Sequence, residues 1–166
     1  EVPRGATFVQ LVGAPSPSPW KAREFERVDL TSVRIAVDAA RDTECAHFVY
    51  LSVAQPAPVM KSYVRVRAQG ERLVASAMPR ATFVRPWYVL GPGRRWPLVL
   101  SPLYALLERI PATRASALRL GFVTLEQMTR ALVASIERAP TDMVGVRVLD
   151  VPALRTAVTS PRATPS

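Results

Sequence analysis

Short, almost wholly apolar segments alternate along this chain with longer amphipathic ones, and this alternation constrains the fold more than any other feature. The apolar segments are Thr7–Gly13, His47–Val53, Ala81–Leu90 and Gly145–Val151. They are rich in β-branched and aromatic residues, as buried strands are. Helical spacing of apolar residues follows Asp29 and Thr124 and covers Lys61–Met78 and Leu98–Ile110. Strands that are apolar on both faces and alternate with helices predict an α/β fold, with a parallel sheet flanked by helices.

Three of these strands are predicted to be direct neighbours in the sheet. We expect Thr7–Gly13, His47–Val53 and Ala81–Val84 to pair in parallel, joined by right-handed crossovers. The prediction is specific, because antiparallel pairing among these three segments would contradict the α/β assignment.

Polar residues mark where two of the helices begin. Asp29 precedes an apolar pattern of helical spacing and is predicted to cap its free N–H groups. Thr124 is followed three residues later by Gln127, which is the spacing of a capping box. Residues 1–151 are assigned to one domain, and the polar, proline-bearing tail 152–166 is expected to be loose.

Composition excludes several classes of protein. The 166 residues make about one domain, at ~100–200 residues per domain. With Cys45 as the only cysteine and His47 as the only histidine, the chain can form neither an intramolecular disulfide nor a zinc site of the Cys/His kind. His47 is therefore interpreted as a structural residue at the start of a strand. No segment approaches the ~20 apolar residues of a membrane-spanning helix, and the absence of disulfides favours a cytoplasmic location.

The net charge of +9 raises the question of a nucleic-acid partner. Of 22 basic residues only Lys21 and Lys61 are lysines, and only Arg94 and Arg95 are adjacent. Nucleic-acid binding needs a clustered basic surface, so this scattered charge argues against it. A nucleic-acid binder is kept as a third hypothesis, which salt-dependent filter binding would test.

Candidate catalytic residues gather where the predicted sheet would bind a ligand, beyond the carboxyl ends of its strands. Ser52 ends the second strand, and Tyr63 and Arg67 lie four residues apart on one face of the next helix. A cation beside a phenol favours the phenolate. Tyr63 could thus act as general acid or base toward a hydroxyl or carbonyl, with Ser52 bonding the same oxygen. The alternative is that Tyr63 is a half-buried packing residue and Arg67 its solvated neighbour.

Five motifs occur in an order that resembles the short-chain dehydrogenase/reductase superfamily, in its extended or atypical branch near the NAD-dependent epimerases and NmrA-like proteins. They are LVGAPSPSP, HFVYLSV, KSYVRVRAQGERLVASA, ATFVRPWYVLGPG and GFVTLEQMTRALVASI. These look like the family's fourth strand, its fifth strand with the catalytic-type serine, its Tyr-x-x-x-Lys helix, its sixth strand and a late helix. Together they cover roughly residues 7–151. The resemblance implies a Rossmann-like fold with segment 87–123 on the substrate side.

The resemblance also implies a role for each matching residue. Tyr63 would be the acid or base, Ser52 an orienting donor, and Arg67 a contact of the nicotinamide ribose. The cofactor-binding residues would be Gly13, Ala14, Arg67 and Pro86. The implied partners are a dinucleotide, NAD or NADP, and a small-molecule substrate that the sequence does not identify.

The sequence departs from the family pattern in two features. Arg67 stands where the family has lysine, and its planar fork is not equivalent to a point ammonium. The glycine-rich dinucleotide fingerprint is missing, and the nearest approach to it is Gly91-Pro92-Gly93. We therefore expect the chain to correspond to the family's carboxyl-terminal part, without the amino-terminal glycine-rich βαβ half. Expressed alone, it is expected to self-associate at the edge of its first strand and to bind NAD(P) weakly or not at all.

Two hypotheses of different class follow from the resemblance. The first is an NAD(P)-dependent oxidoreductase or epimerase-like enzyme. The second is a non-catalytic NAD(P)-binding sensor or structural module of the NmrA-like kind, which the Arg67 departure favours. Replacing Tyr63 with phenylalanine discriminates between them, because only the enzyme would lose turnover.

Overall fold

A computed structural model of the chain describes residues 3–13, 22–91, 118–139 and 144–157. The strands are β1 (Thr7–Gln10), β2 (His47–Leu51), β3 (Arg80–Val84), β4 (Tyr88–Leu90), β5 (Phe122–Thr124) and β6 (Gly145–Leu149). Helix α1 has three consecutive parts, Ala22–Glu24, a π-helical segment Phe25–Leu30, and Thr31–Asp42. The other helices are α2 (Lys61–Ala77), α3 (Leu125–Glu137) and α4 (Val151–Thr156).

The main sheet is parallel and has the strand order β1-β2-β3-β6. Thr7 is in register with His47, and Phe48 with Ala81, so the first three strands are neighbours as the sequence predicts. Strand β6 joins the far side of β3 in parallel, with Val84 opposite Leu149. The predicted α/β fold with a parallel sheet is confirmed.

Buried side chains fill both faces of this sheet, which explains why its strands read as continuous apolar runs. On one face, Phe48, Tyr50 and Phe83 pack against helices α1 and α2. On the other, Val49, Val84 and Leu149 pack with residues of α3 and α4. Because successive strand residues point to opposite faces, β2 contributes to both layers of the core.

The prediction that Asp29 caps a helix was wrong. Asp29 lies inside α1, in the π-helical segment, and is fully buried. The helix begins earlier, at Ala22, so the N–H groups that Asp29 was expected to satisfy are not at a helix end. The capping box at Thr124 is confirmed, because its side chain accepts the Gln127 N–H while the Gln127 side chain accepts the Thr124 N–H.

Two of the predicted strands also differ from the elements observed. The segment Ala81–Leu90 splits after Val84, and β4 then pairs in parallel with β5 in a separate two-stranded sheet. The strand predicted over Gly145–Val151 stops at Leu149, because the Asp150 side chain accepts the Ala153 N–H and begins α4. The predicted helix Leu98–Ile110 lies outside the described residues, as does most of segment 87–123.

Candidate functional site

The candidate site lies where β2 ends and α2 passes over it. The Arg67 Nη1 group donates a hydrogen bond of 2.9 Å to the carbonyl oxygen of Leu51, the last residue of β2. Arg67 thus reaches the carboxyl end of a central strand, which is where an open parallel sheet binds its ligands. Ser52 is the next residue along the chain.

Arg67 forms a buried ion pair with Asp29. Its Nη2 atom lies 2.6 Å from Asp29 Oδ1, and the exposed fractions of the two side chains are 4% and 0%. Burial by itself disfavours the charged guanidinium, but Tyr63, Tyr50 and Asp29 more than offset this and hold the pKa of Arg67 above its ordinary value. The pair therefore remains charged, and its two charges compensate each other inside the protein.

Gly13 lies directly against this ion pair. A Cβ atom on Gly13 would stand 1.9 Å from Arg67 Nη2 and 2.8 Å from Asp29 Oδ1. Only glycine leaves room for the guanidinium and the carboxylate at that point of the chain after β1. The structure thus brings together Gly13 and Arg67, two of the residues to which the family resemblance gives a role in cofactor binding.

Tyr63 packs its ring against Arg67. The Arg67 Cζ atom lies 5.3 Å from the centre of the Tyr63 ring, within the range of a cation–π interaction. On another side, the Phe25 ring is 5.0 Å away at an angle of 60°. Tyr63 is half-buried and lines a cleft of about 220 Å³ together with Phe25, Met60, Lys61 and Ser62. The Tyr63 side chain is therefore partly accessible from this cleft.

The ring of Tyr50, in strand β2, also packs against Arg67. The Arg67 Cζ atom is 5.8 Å from the Tyr50 ring centre. The Tyr50 hydroxyl is buried and has no hydrogen-bond partner among the described residues. Burial raises the pKa of Tyr50, and the nearby Arg67 cation opposes that rise only in part. Tyr50 is consequently a neutral phenol that packs against the site.

Ser52 is positioned by the sheet and buried. Its backbone N–H donates to the Val84 carbonyl over 2.8 Å, and its side chain is 3% exposed. Its Oγ atom has no hydrogen-bond partner among the described residues, nor has the nearby Gln55 Nε2 atom. No hydrogen bond between Ser52 and Tyr63 occurs in that part of the chain either.

These unpartnered polar atoms allow a test of whether a dinucleotide fits. Buried polar groups are nearly always hydrogen-bonded, so an orphaned hydroxyl at the end of β2 suits a ligand oxygen. The partly exposed Tyr63 side chain and the close backbone approach at Gly13 agree with this. The residues present are compatible with a dinucleotide at this edge of the sheet.

Of the other two residues predicted to bind the cofactor, Pro86 and Ala14, only Pro86 is among the described residues. Pro86 is buried, and its carbonyl oxygen accepts the Ala54 N–H over 3.0 Å. That bond joins the segment after β3 to the segment after β2. Ala14 lies outside the described residues.

A second ion pair anchors α2 beside the site. Arg85, just after β3, donates from Nε and Nη2 to the two carboxylate oxygens of Glu71, over 2.8 and 2.5 Å. Glu71 is 7% exposed and Arg85 24% exposed at the side chain. Such a bidentate contact fixes the relative orientation of the two side chains as well as their distance. It therefore holds helix α2 against the end of β3.

His47 lies at the opposite end of the sheet, as a structural residue. Its Nε2 atom is 2.9 Å from the Thr82 hydroxyl, and its Nδ1 atom is 3.5 Å from the Thr7 hydroxyl. Burial, with Arg147 and Arg80 nearby, lowers the pKa of His47. Its contacts tie β1, β2 and β3 together.

Among the described residues, no three His, Cys, Asp or Glu side chains gather as a metal site would require. None of the described helices combines the length and apolarity of a membrane span.

Sequence reasoning missed Asp29 as a site residue. A signal was available, because Asp29 stands four residues before Val33 on the same apolar stripe that includes Val37 and Ala40. An acidic residue on the buried face of a helix indicates a buried partner. The sequence could not say that the partner would be Arg67, which is 38 positions further along the chain.

No family model matches the chain. Its fold is that of the NAD-dependent epimerases and short-chain dehydrogenase/reductase proteins, which confirms the resemblance at the level of the fold. The structure of MoeE5 with UDP-glucuronic acid and NAD matches with a TM-score of 0.61 and 19% identity, covering 88% of this chain and 56% of that one.

Two further solved structures illustrate the same fold. UDP-glucuronic acid 4-epimerase from Bacillus cereus with NAD has a TM-score of 0.58 at 16% identity, covering 86% of this chain and 53% of that one. A short-chain dehydrogenase/reductase protein from Agrobacterium tumefaciens with bound NAD has a TM-score of 0.58 at 15% identity, over 93% and 65%. This chain therefore spans between 53% and 65% of the length of these three structures.

One curated relative is similar in sequence. Ceramide reductase of Caulobacter vibrioides is 31% identical over 110 residues, which cover 66% of this chain and 34% of that protein. The chain thus matches about a third of the relative's length.

Proposed function

We propose that this chain supplies the acid/base residues of an NAD(P)-dependent oxidoreductase or epimerase of the short-chain dehydrogenase/reductase type. One observation supports the proposal: the partly buried Tyr63 ring is held against the Arg67 cation, which reaches the carboxyl end of β2. Placement at the carboxyl ends of parallel strands is what ligand binding in such a sheet requires.

In the proposed reaction, Tyr63 exchanges a proton with the substrate oxygen that changes between hydroxyl and carbonyl. The Ser52 hydroxyl, which lacks a partner among the described residues, donates a hydrogen bond to the same oxygen. Bound NAD(P) would accept or supply the hydride. Gly13 and Pro86 lie on the cofactor side, and binding by the 166 residues alone is proposed to be weak.

The relatives suggest two substrate classes to test. Because the curated relative is named a ceramide reductase, a ceramide-type lipid is the first. Because two of the similar structures hold UDP-sugars, a UDP-hexose is the second. The proposal requires turnover with one of these classes or with another carbonyl or hydroxyl substrate.

The experiment compares wild type with Tyr63→Phe in the protein expressed from its whole coding sequence. NADH and NADPH binding is measured by fluorescence, and turnover by absorbance of the reduced cofactor. We expect Tyr63→Phe to lower turnover by about 10²–10⁴-fold while cofactor affinity stays within threefold, because a positioned acid or base contributes roughly that factor. Ser76→Ala, which removes an exposed hydroxyl from the same helix, is the matched control.

A second candidate function is a non-catalytic dinucleotide-binding module. The buried Asp29 carboxylate favours it, because it compensates the charge that Arg67 would otherwise present to a ligand. In that case NAD(P) binds but Tyr63→Phe changes no activity. A protein that binds neither NADH nor NADPH would contradict both functions.

A further inference from the structure

We propose that Asp29 is a positioning residue of the candidate site, which fixes the Arg67 guanidinium so that it orients the Tyr63 ring. This inference rests on the proposed function. However, the effect of Asp29 on the Tyr63 ring can be tested without a catalytic assay. It also gives Arg67 a different role from the ribose contact that the family resemblance implies.

Arg67 is enclosed on almost every side. One Nη group is bound to the Leu51 carbonyl at 2.9 Å and the other to Asp29 at 2.6 Å. The rings of Tyr50 and Tyr63 stand 5.8 and 5.3 Å from its Cζ atom. With 4% of its side chain exposed, Arg67 cannot turn toward a ligand without breaking the pair with Asp29.

The enclosure explains why arginine suits this position. A guanidinium can bond a carbonyl and a carboxylate at once through separate N–H groups in a rigid plane. Its flat face remains free to stack on the aromatic ring of Tyr63. A lysine ammonium has no such plane, so Arg67→Lys would keep the charge but lose the orientation.

Asp29 owes its position to the π-helical segment of α1. Both Phe25 and Asp29 of that segment are buried, and they reach the two sides of the site: Phe25 contacts the Tyr63 ring, and Asp29 holds Arg67. Gly13 closes the third side, since a Cβ there would overlap Arg67 Nη2. The ring of Tyr63 is therefore set by the segment Phe25–Leu30 as well as by its own helix.

The first test observes the Tyr63 ring directly. Tyrosine labelled with ¹³C at Cζ gives one signal per ring, and Tyr63→Phe identifies the one that belongs to Tyr63. Asp29→Asn keeps the shape and removes the charge, so we expect the Tyr63 signal to shift or broaden in the unliganded protein. An unchanged Tyr63 signal in Asp29→Asn overturns the proposal.

The chain offers a matched control for this test. Glu26 lies in the same π-helical segment and pairs with Arg65 of α2 over 3.3 Å, but both side chains are more than half exposed. Glu26→Gln therefore removes a carboxylate that joins the same two elements outside the site. We expect it to leave the Tyr63 signal in place, and an equal shift in Glu26→Gln would overturn the specific role of Asp29.

The second test separates positioning from stability. Asp29→Asn, Arg67→Met and the double variant Asp29→Asn/Arg67→Met are compared for unfolding and for kcat and KM. A single variant removes one charge of the buried pair and keeps the other, whereas the double variant removes both and is expected to recover most of the lost stability. We expect its kcat to stay at least about tenfold below wild type with KM within about threefold, as misplacement of a reacting group would produce.

The outcomes of the two tests distinguish this proposal from the proposed function. A double variant that folds and turns over like wild type shows that the pair is only structural, and overturns the proposal. A wild-type protein without dinucleotide-dependent turnover contradicts the proposed function instead. In that case the Tyr63 signal in Asp29→Asn alone decides whether Asp29 positions the ring.

Discussion

Close contacts at individual atoms limit which substitutions several residues of this protein tolerate. Gly70 faces the Tyr50 ring, and a Cβ on Gly70 would meet the Tyr50 hydroxyl oxygen at 2.5 Å and two ring carbons at 3.0 and 3.1 Å. Helix α2 can approach β2 this closely only because Gly70 has no side chain. The same closeness keeps Arg67, one turn earlier, within reach of the end of β2.

We predict that Gly70→Ala destabilises the protein by roughly 1–3 kcal/mol, the usual cost of overpacking a core. Tyr50→Phe alone should change stability little, because the hydroxyl it removes is buried without a hydrogen-bond partner among the described residues. Urea unfolding of both single variants and the double variant measures the coupling. In the Tyr50→Phe background the cost of Gly70→Ala should shrink but not vanish, since the ring carbons remain. Equal costs in both backgrounds would contradict the contact.

His47 gives a prediction about pH. Its pKa in the folded protein lies below the ordinary 6.5, because burial and then the charges of Arg147 and Arg80 disfavour the imidazolium. The unfolded chain therefore binds a proton that the folded protein does not, and stability should fall as pH drops through about 6.5 toward the lower folded value.

Thermal melts between about pH 7.5 and 5.5 measure this effect of His47. In His47→Gln, which cannot take up the proton but can still bond Thr82, the fall in Tm over that interval should be smaller than in wild type. A His47→Gln variant with the same pH dependence would show that other groups cause the fall.

At the scale of elements, contacts between charged side chains fix how α2 sits on the sheet. The two-pronged pair of Glu71 and Arg85 ties the middle of α2 to the end of β3. The pair of Asp29 and Arg67 ties the same helix to α1 and to the end of β2. The helix that carries Tyr63 is thus fixed at two points along its length.

We predict that Glu71→Gln destabilises the protein by about 2 kcal/mol. Breaking a fully buried pair costs roughly 3–5 kcal/mol, and the figure is reduced here because Arg85 is 24% exposed. Glu126→Gln is the matched control, since its pair with Arg130 within α3 is exposed and should contribute only about 0.3–0.5 kcal/mol. Denaturant unfolding of the two variants provides the comparison, and equal effects would contradict the anchoring role of Glu71.

At the scale of the whole molecule, the first strand forms one edge of the described main sheet, and β6 forms the other. Strand β1 pairs with β2 on one side and has no other partner among the described strands. Directly after it, Leu11 and Val12 are 48% and 55% exposed. An unpaired strand edge next to exposed apolar side chains is a template for association between chains.

We predict that the 166-residue chain self-associates at this edge. In size-exclusion chromatography, Leu11→Lys/Val12→Lys should shift the protein toward the monomer, because charges beside a strand edge oppose pairing. Val133→Lys, at another exposed apolar position on α3, should not. A wild-type chain that elutes as a monomer at all concentrations would contradict the prediction.

The local pattern of the sequence was enough to predict the pairing of the first three strands. The alternation of apolar runs and helical spacing predicts parallel pairing of β1, β2 and β3, and the Thr124–Gln127 spacing predicts the cap of α3. Each strand, helix and cap depends on residues that are close in the chain, and parallel pairing follows from the alternation of short strands with helices. The spacing of Tyr63 and Arg67 likewise placed both on one face of a single helix, where the structure has them in contact.

Only the tertiary structure decided what surrounds Arg67. The sequence left open whether Arg67 was a ligand contact or a solvated neighbour, and it read Asp29 as a helix cap. The structure buries both in one ion pair against Gly13. The physical reason is that a buried charge requires an opposite charge close by in space. Which residue provides that charge depends on how helices from distant parts of the chain pack, and no local pattern contains that information.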